Sequence, residues 1–337
     1  VKKGEAILRD DIIVMSPGQG IPPNKIDQLI GICSPRNMNE GDVFFTSDLK
    51  PASSGPRDFN FQRPFGIPVR YHDFSKLHTM SNFKFVEFHL SYKDMEVDLD
   101  QFFKDQYNLE FSVHCPELFA NDHILDLCSL DESYRARSIE EVQRVIEVTL
   151  KLKKYFKKTD PPLIIINVGG HSQNSPLPVS ERQILYGLAL ESLSKLDQEG
   201  VELIPQSMPP FPWHFGGQRF QNLFVDATEI ADFCQNNNYR VCLDISHSKL
   251  ACNHYKWSFK NFIESVAPYS AMFHIVDASG VDGEGLQIGE GEVDFALLGE
   301  QLNALAPNAG FIPEIWQGHK NDGEGFWIAL ERLEKWF

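Results

Sequence analysis

From Arg63 to the end of the chain, short apolar runs alternate with longer segments in which apolar residues recur at helical spacing. The short runs predict strands at Gly66–Tyr71, Phe85–His89, Leu109–His114, Leu163–Val168, Val201–Gln206, Arg240–Asp244, Ala271–Val276 and Gly310–Ile315. Between several of them the 3.6-residue period predicts helices at Ile139–Phe156, Glu181–Gln198, Asp226–Asn236 and Phe259–Val266, with a last helix at Gly325–Trp336. Strand and helix alternating eight times over about 275 residues is the pattern of a (β/α)8 TIM barrel in the α/β class. A doubly wound open sheet is the alternative. It would usually carry a Gly-rich phosphate turn after its first strand, and the VRYHDF found here is not one.

Residues 1–50 follow another rule. Short apolar pieces are broken by Gly, Pro and Asn turns, and only Asn24–Leu29 reads as helical, so a small, irregular, β-rich module is expected. Lys50–Gln62, KPASSGPRDFNFQ, has the composition of a linker. The expected organisation is a module at 1–50, a linker at 51–62 and a barrel at 63–337. The chain starts with Val rather than Met, which reads as a piece of a longer protein.

Composition narrows the function classes. The 337 residues are 42% hydrophobic and 12% aromatic, enough for a large core, and the formal net charge is −16. A nucleic-acid binder needs a basic face, so that class is disfavoured. No run of about 18 apolar residues and no signal peptide is present, so a cytoplasmic protein without a membrane span is expected. The six cysteines form no CxxC pair and read as reduced core thiols.

The chemistry gathers at the predicted strand ends. Barrel strands point alternate residues inward, and functional groups come from their C-terminal ends. Ile204 and Gln206 share a face, as do Cys242 and Asp244, Met272 and His274, and Ile312 and Glu314. Each polar residue follows its apolar partner by two positions, so Gln206, Asp244, His274 and Glu314 are expected to converge. One imidazole, two carboxylates and one amide oxygen suit Mn, Co, Zn or Mg. The plainer alternative is that each residue caps its own strand. His114 and His171 end strands three and four and are candidates to bond a sugar hydroxyl, while Glu87 and His89 share a face of strand two. The loop MPPFPWHFGG offers Trp213 and His214 as walls of a pocket. Asp294 is expected to cap the helix that follows QIGEGEV.

Two resemblances sharpen this reading. KKGEAILRDDI, SPGQGIPPNKIDQLIG and NEGDVFFTSDL resemble the SAF, or antifreeze-like, module at the C-terminal end of bacterial sialic acid synthases. The resemblance implies a synthase domain upstream and, at Arg36, an arginine that reaches a sugar. CLDISHS, FHIVDASG, LQIGEGEVDF and PEIWQGH resemble the xylose-isomerase-like superfamily of sugar-phosphate isomerases, epimerases and endonuclease IV. That resemblance implies a metal held by Asp244, His274 and Glu314, with Gln206 where the family has a glutamate. It assigns proton transfer to Glu314 and a substrate contact to His247. An amide cannot take a proton, so the second base is either unnecessary, supplied by a residue such as His214 or Glu202, or lost. Endonuclease IV is disfavoured, because Gly283, Glu284 and Gly285 replace its signature ligands. The function expected is a metal-dependent isomerase or epimerase of a small sugar or sugar phosphate, in nonulosonic acid or surface-carbohydrate biosynthesis, with self-association left open. The alternative is a catalytically impaired sugar-binding or regulatory barrel.

Overall fold

The computed structural model describes residues 1–15, 20–49, 55–159, 161–212, 215–216 and 218–337. Eight parallel strands form the barrel: β1 (Gly66–Val69), β2 (Phe85–His89), β3 (Glu110–His114), β4 (Leu163–Ile166), β5 (Glu202–Pro205), β6 (Val241–Asp244), β7 (Ser270–His274) and β8 (Gly310–Ile312). β1 to β5 pair in order as one sheet and β6 to β8 as another. Two parallel bridges close the ring, Gln206 with Cys242 between β5 and β6, and Phe65 with Phe311 between β8 and β1. Every predicted strand is present, and several end earlier than the apolar run suggests.

Alternation along the strands divides the interior. Phe85, Ile165, Ile204, Cys242, Met272 and Ile312 form a buried apolar cluster of their own. Two residues further along, in the same phase, come Glu87, Gln206, Asp244, His274 and Glu314. The opposite phase, including Val86, Phe88, Val113, Leu243 and Phe273, joins the larger core under the helices. Burial of that surface, worth about 25 cal/mol per Å², holds the helical ring on the barrel.

The helices are α1 (Tyr71–Leu77), α2 (Glu132–Leu152), α3 (Val179–Ser194), α4 (Ala227–Asn237), α5 (Ile245–Tyr255), α6 (Phe259–Val266), α7 (Phe295–Leu305) and α8 (Lys320–Leu333). α2 begins seven residues earlier than the period suggests, because Asp131 caps it through the N–H groups of Ser133 and Tyr134. Asp294 caps α7 as expected, accepting from Ala296 and Leu297. α5 has no amphipathic signal: Ile245, Ser246, His247, Ser248, Leu250, Ala251 and Cys252 are all buried. Its cap is Asp244, which accepts the His247 N–H at 2.8 Å.

The N-terminal stretch is less regular than the β-rich module expected. Among its described residues one isolated bridge, Ala6 with Cys33, stands in place of strands. Its apolar pieces are too short to sustain a ladder, and short helical turns at Arg9–Asp11, Pro23–Lys25, Ile26–Leu29 and Thr46–Leu49 fill the rest. Ile7, Ile12 and Leu29 form a small separate core. All six cysteines are free thiols. No helix among the described residues is long and apolar enough to cross a membrane.

Candidate functional site

His274 at the end of β7 is the centre of the polar layer, with no side-chain exposure. Its Nδ1 lies 2.8 Å from Glu314 Oε2 and 3.7 Å from Asp244 Oδ2. On the other side, its Nε2 lies 3.0 Å from Glu87 Oε1, a contact too bent to count as a hydrogen bond. Glu87 also accepts from His89 Nε2 at 3.0 Å and Ser112 Oγ at 3.0 Å. The pairing of β2 with β3 sets His89 beside His114, and that of β6 with β7 sets Asp244 beside His274. The four residues expected to converge do so, and β2 adds Glu87 and His89. The sequence shows them in the same phase: Phe85 in the apolar cluster, then Glu87 and His89 at steps of two.

The electrostatics follow from burial against pairing. Burial alone would raise Glu87, but His274 and His89 outweigh it and hold its carboxyl far below the usual range. Glu314 is likewise held well below its ordinary value by His274, against the effect of burial. Burial disfavours charge on His274, yet the surrounding anionic groups raise it well above the usual imidazole value. His114 moves down, because of burial and the neighbouring His89.

Gln206 shows how the layer would accept a cation. Its Nε2 lies 3.1 Å from both Asp244 Oδ2 and His274 Nδ1, and its Oε1 lies 3.1 Å from His114 Nε2. His114 Nδ1 donates to the Cys115 carbonyl at 3.1 Å, so a neutral His114 presents a lone pair at Nε2. An amide turned by half a turn would donate to that lone pair and aim its oxygen at Asp244 and His274. A cation between them would favour that turn. Three carboxylates, those of Glu87, Asp244 and Glu314, surround one buried imidazole, and buried charge must be compensated. The donor set therefore fits a divalent metal: Asp244, His274 and Glu314, with the Gln206 oxygen after rotation. A second grouping, His114, His274 and Glu314, brings its ligand atoms within 4.8 Å of one another. Glu87 would orient His274 from behind.

Above this layer a cavity of about 520 Å³ opens at the C-terminal ends of the strands, lined in part by Asp244, His247, Glu284, Glu314, Trp316 and Phe326. His247 Nδ1 donates to the Ser207 carbonyl at 2.9 Å, and its Nε2 meets Glu284 Oε1 at 3.1 Å. Burial would lower this imidazole, but Asp244 and Glu284 push it up to about 10. Sequence reasoning saw Glu284 only as a departure from a metal signature. Its placement depends on a hairpin, Asp277–Ser279 with Gly283–Leu286, that packs over α5. The turn beyond it is pinned by Asp277, which accepts from the N–H groups of Gly289, Gly291 and Val293 at 2.9, 2.9 and 3.0 Å.

Other candidates fall elsewhere. His114 lies beneath the cavity, bound to Gln206. His171 sits on a short antiparallel pair with Phe220–Gln221, its ring 4.3 Å from Phe215, and is not part of the cavity lining. Trp213 and His214 lie outside the described residues. Glu202 is corrected as a stand-in base: it starts β5, at the opposite end of the barrel, paired with Arg240 at 2.5 Å. Arg36 is held inside its own module, with Nε 2.9 Å from Asp48 Oδ1 and Nη2 3.0 Å from Asp48 Oδ2.

The chain matches the family model of xylose isomerase-like TIM barrels over residues 75–336. An uncharacterized protein of Methanocaldococcus jannaschii is 25% identical over 205 residues, 60% of this chain; the match spans 63% of that relative's length. Among solved structures, a D-tagatose 3-epimerase-like protein is 20% identical with a TM-score of 0.57, covering 81% of this chain and 97% of that one. A D-allulose 3-epimerase from Methylomonas sp. is 14% identical with a TM-score of 0.56, covering 84% and 100%. Endonuclease IV from Thermus thermophilus is 13% identical with a TM-score of 0.51, covering 81% and 98%. At these identities the likeness establishes the fold.

Proposed function

The chain belongs to the xylose isomerase-like TIM barrels, and from that premise we propose that its barrel is a divalent-metal-dependent isomerase or epimerase of a sugar or sugar phosphate. The observation that carries this reading is buried His274, with Asp244 and Glu314 on its Nδ1 side and Glu87 behind Nε2. Asp244, His274 and Glu314 would hold the cation, with Gln206 turned to present its oxygen. A bound cation supplies the positive charge that lowers the cost of taking a proton from the carbon beside a substrate carbonyl. Glu314 takes that proton: its side chain is 28% exposed and lines the cavity, whereas Glu87 is fully buried. His247 holds a substrate oxygen through Nε2. Val276, Trp316 and Phe326 supply an apolar wall, and about 520 Å³ accommodates a monosaccharide.

The resemblance of residues 1–50 to a SAF module supports a role in nonulosonic acid or surface-carbohydrate synthesis, with a synthase domain upstream. On this reading Arg36 reaches a sugar only by leaving Asp48.

A second reading is a sugar-binding barrel without turnover. It is favoured by Gln206 itself, an amide that donates to Asp244 at 3.1 Å and cannot take a proton. Metal analysis of the full chain separates the two. The enzyme reading expects one Mn, Co, Zn or Mg per chain, lost in Asp244→Ala and His274→Ala. A chain that stays metal-free after dialysis against each of these ions would leave only the second reading.

A further inference from the structure

Resting on the isomerase or epimerase reading, we propose that Glu284 is a second proton-transferring carboxylate of this cavity, taking up the role for which Gln206 lacks the chemistry. Among the described residues, four carboxylates line the cavity: Asp73, Asp244, Glu284 and Glu314. Asp73 is engaged at the start of α1, accepting the Arg70 N–H at 2.7 Å. Asp244 is buried, with Oδ1 held by the His247 N–H at 2.8 Å and its other oxygen turned to the cation site. Glu87 is in the buried layer and does not line the cavity. Glu284 and Glu314 remain, and they come from different elements, a hairpin after β7 and the end of β8.

Glu284 is held as a reacting group must be. Trp316 N–H donates to the Gly285 carbonyl at 2.9 Å, and Gly285 N–H reaches Ser246 Oγ at 3.4 Å. The hairpin is thus tied to the loop carrying Glu314 and to the helix carrying His247. Gly285 has φ +71, and a Cβ there would lie 2.8 Å from Trp316 Cβ, so the close approach requires glycine. His247 donates from Nδ1 to the Ser207 carbonyl and meets Glu284 Oε1 through Nε2. Oε2 has no protein partner among the described residues, and the side chain is 24% exposed, so substrate can reach it.

Inversion of a carbon beside a carbonyl needs a base on one face and an acid on the other. Glu314, as carboxylate, takes the proton; the C–H bond breaks and its electron pair passes into an enediolate. Glu284 takes a proton from His247 across their 3.1 Å contact and delivers it to the opposite face; a new C–H bond forms, Glu284 is left as carboxylate and His247 as neutral imidazole. One proton leaves and one arrives, and exchange with water resets the pair. No oxidant or reductant is involved.

The test uses the full chain with bound Mn in deuterated water, with D-fructose, D-ribulose, D-ribulose 5-phosphate and D-fructose 6-phosphate as probes, followed by NMR. The parent is expected to incorporate deuterium and form the epimer. Glu284→Gln is expected to lose epimer formation by at least about 100-fold, while substrate C–H exchange through Glu314 falls far less and Mn stays bound. Glu284→Asp should recover part of the rate, and it provides the same comparison should Glu284→Gln fail to fold. Epimer formation by Glu284→Gln at the parental rate would overturn the proposal, as would equal loss of exchange and epimer. A parent that converts ketose to aldose without inversion, at a rate Glu284→Gln does not change, would overturn it while leaving the isomerase reading intact. A Mn-loaded parent that exchanges no proton of any probe would overturn both.

Discussion

Replacing Gln206 with Glu tests the cation site through the layer's own charge balance. The amide nitrogen lies 3.1 Å from Asp244 Oδ2 and donates to it. Gln206→Glu removes that bond, worth roughly 1.5–3 kcal/mol for a charged acceptor. It also sets two carboxylate oxygens about 3 Å apart, a repulsion on the order of 5 kcal/mol at an effective dielectric constant near 20. Part of this is relieved when the two carboxyls share a proton. Without metal the variant should therefore melt well below the parent, and acidification should narrow the gap. With Mn or Co the added anion becomes a ligand and the order reverses, with cation binding at least about tenfold tighter, or roughly 1.4 kcal/mol. Thermal unfolding with EDTA and with each cation, joined to calorimetric titration, reads both effects. A variant as stable as the parent in EDTA, and no better stabilised by cations, would refute the placement of Gln206 in a metal shell.

Further expectations follow from single contacts. In EDTA, His247 is pushed up to about 10 against an unfolded value near 6.5. It stabilises the fold fully below about 6.5, and that contribution is lost as pH rises through about 10. Urea melts from pH 7 to 11 should show this loss, and His247→Gln should flatten it. Glu87→Gln removes the carboxylate facing His274 and His89, so a cost of about 3–5 kcal/mol is expected in chemical denaturation; a change below about 1 kcal/mol would contradict the ion-pair account. Gly285→Ala forces a Cβ to within 2.8 Å of Trp316 Cβ at φ +71, and should destabilise by more than about 1 kcal/mol. It should also weaken sugar binding, read by Trp fluorescence, by displacing Glu284.

The barrel was legible because two patterns agreed. Period-two strands alternated with period-3.6 helices, and the polar residues at strand ends repeated one phase, so Gln206, Asp244, His274 and Glu314 could be placed together without coordinates. Glu87 and His89 obey the same phase after Phe85, but the run FVEFH shows them singly, and their partners lie on strands far away in the chain. Glu284 carried no local signal at all. Its position comes from contacts with Ser246 and Trp316, and a Gly-flanked glutamate reads as a turn. α5 was hidden because nearly all its faces are buried, which erases the amphipathic period. In the first fifty residues, turn spacing suggested a sheet that the short apolar pieces do not build.

The central claim is proton exchange at a metal-supported carbon. Its most direct measurement is deuterium incorporation into sugars and sugar phosphates by the Mn-loaded full chain, with Glu314→Gln beside it. The account predicts deuterium at the carbon next to the carbonyl in at least one substrate, and its loss by at least about 100-fold per bound metal in Glu314→Gln. Metal bound one to one, with no deuterium entering any substrate of the panel, would contradict it.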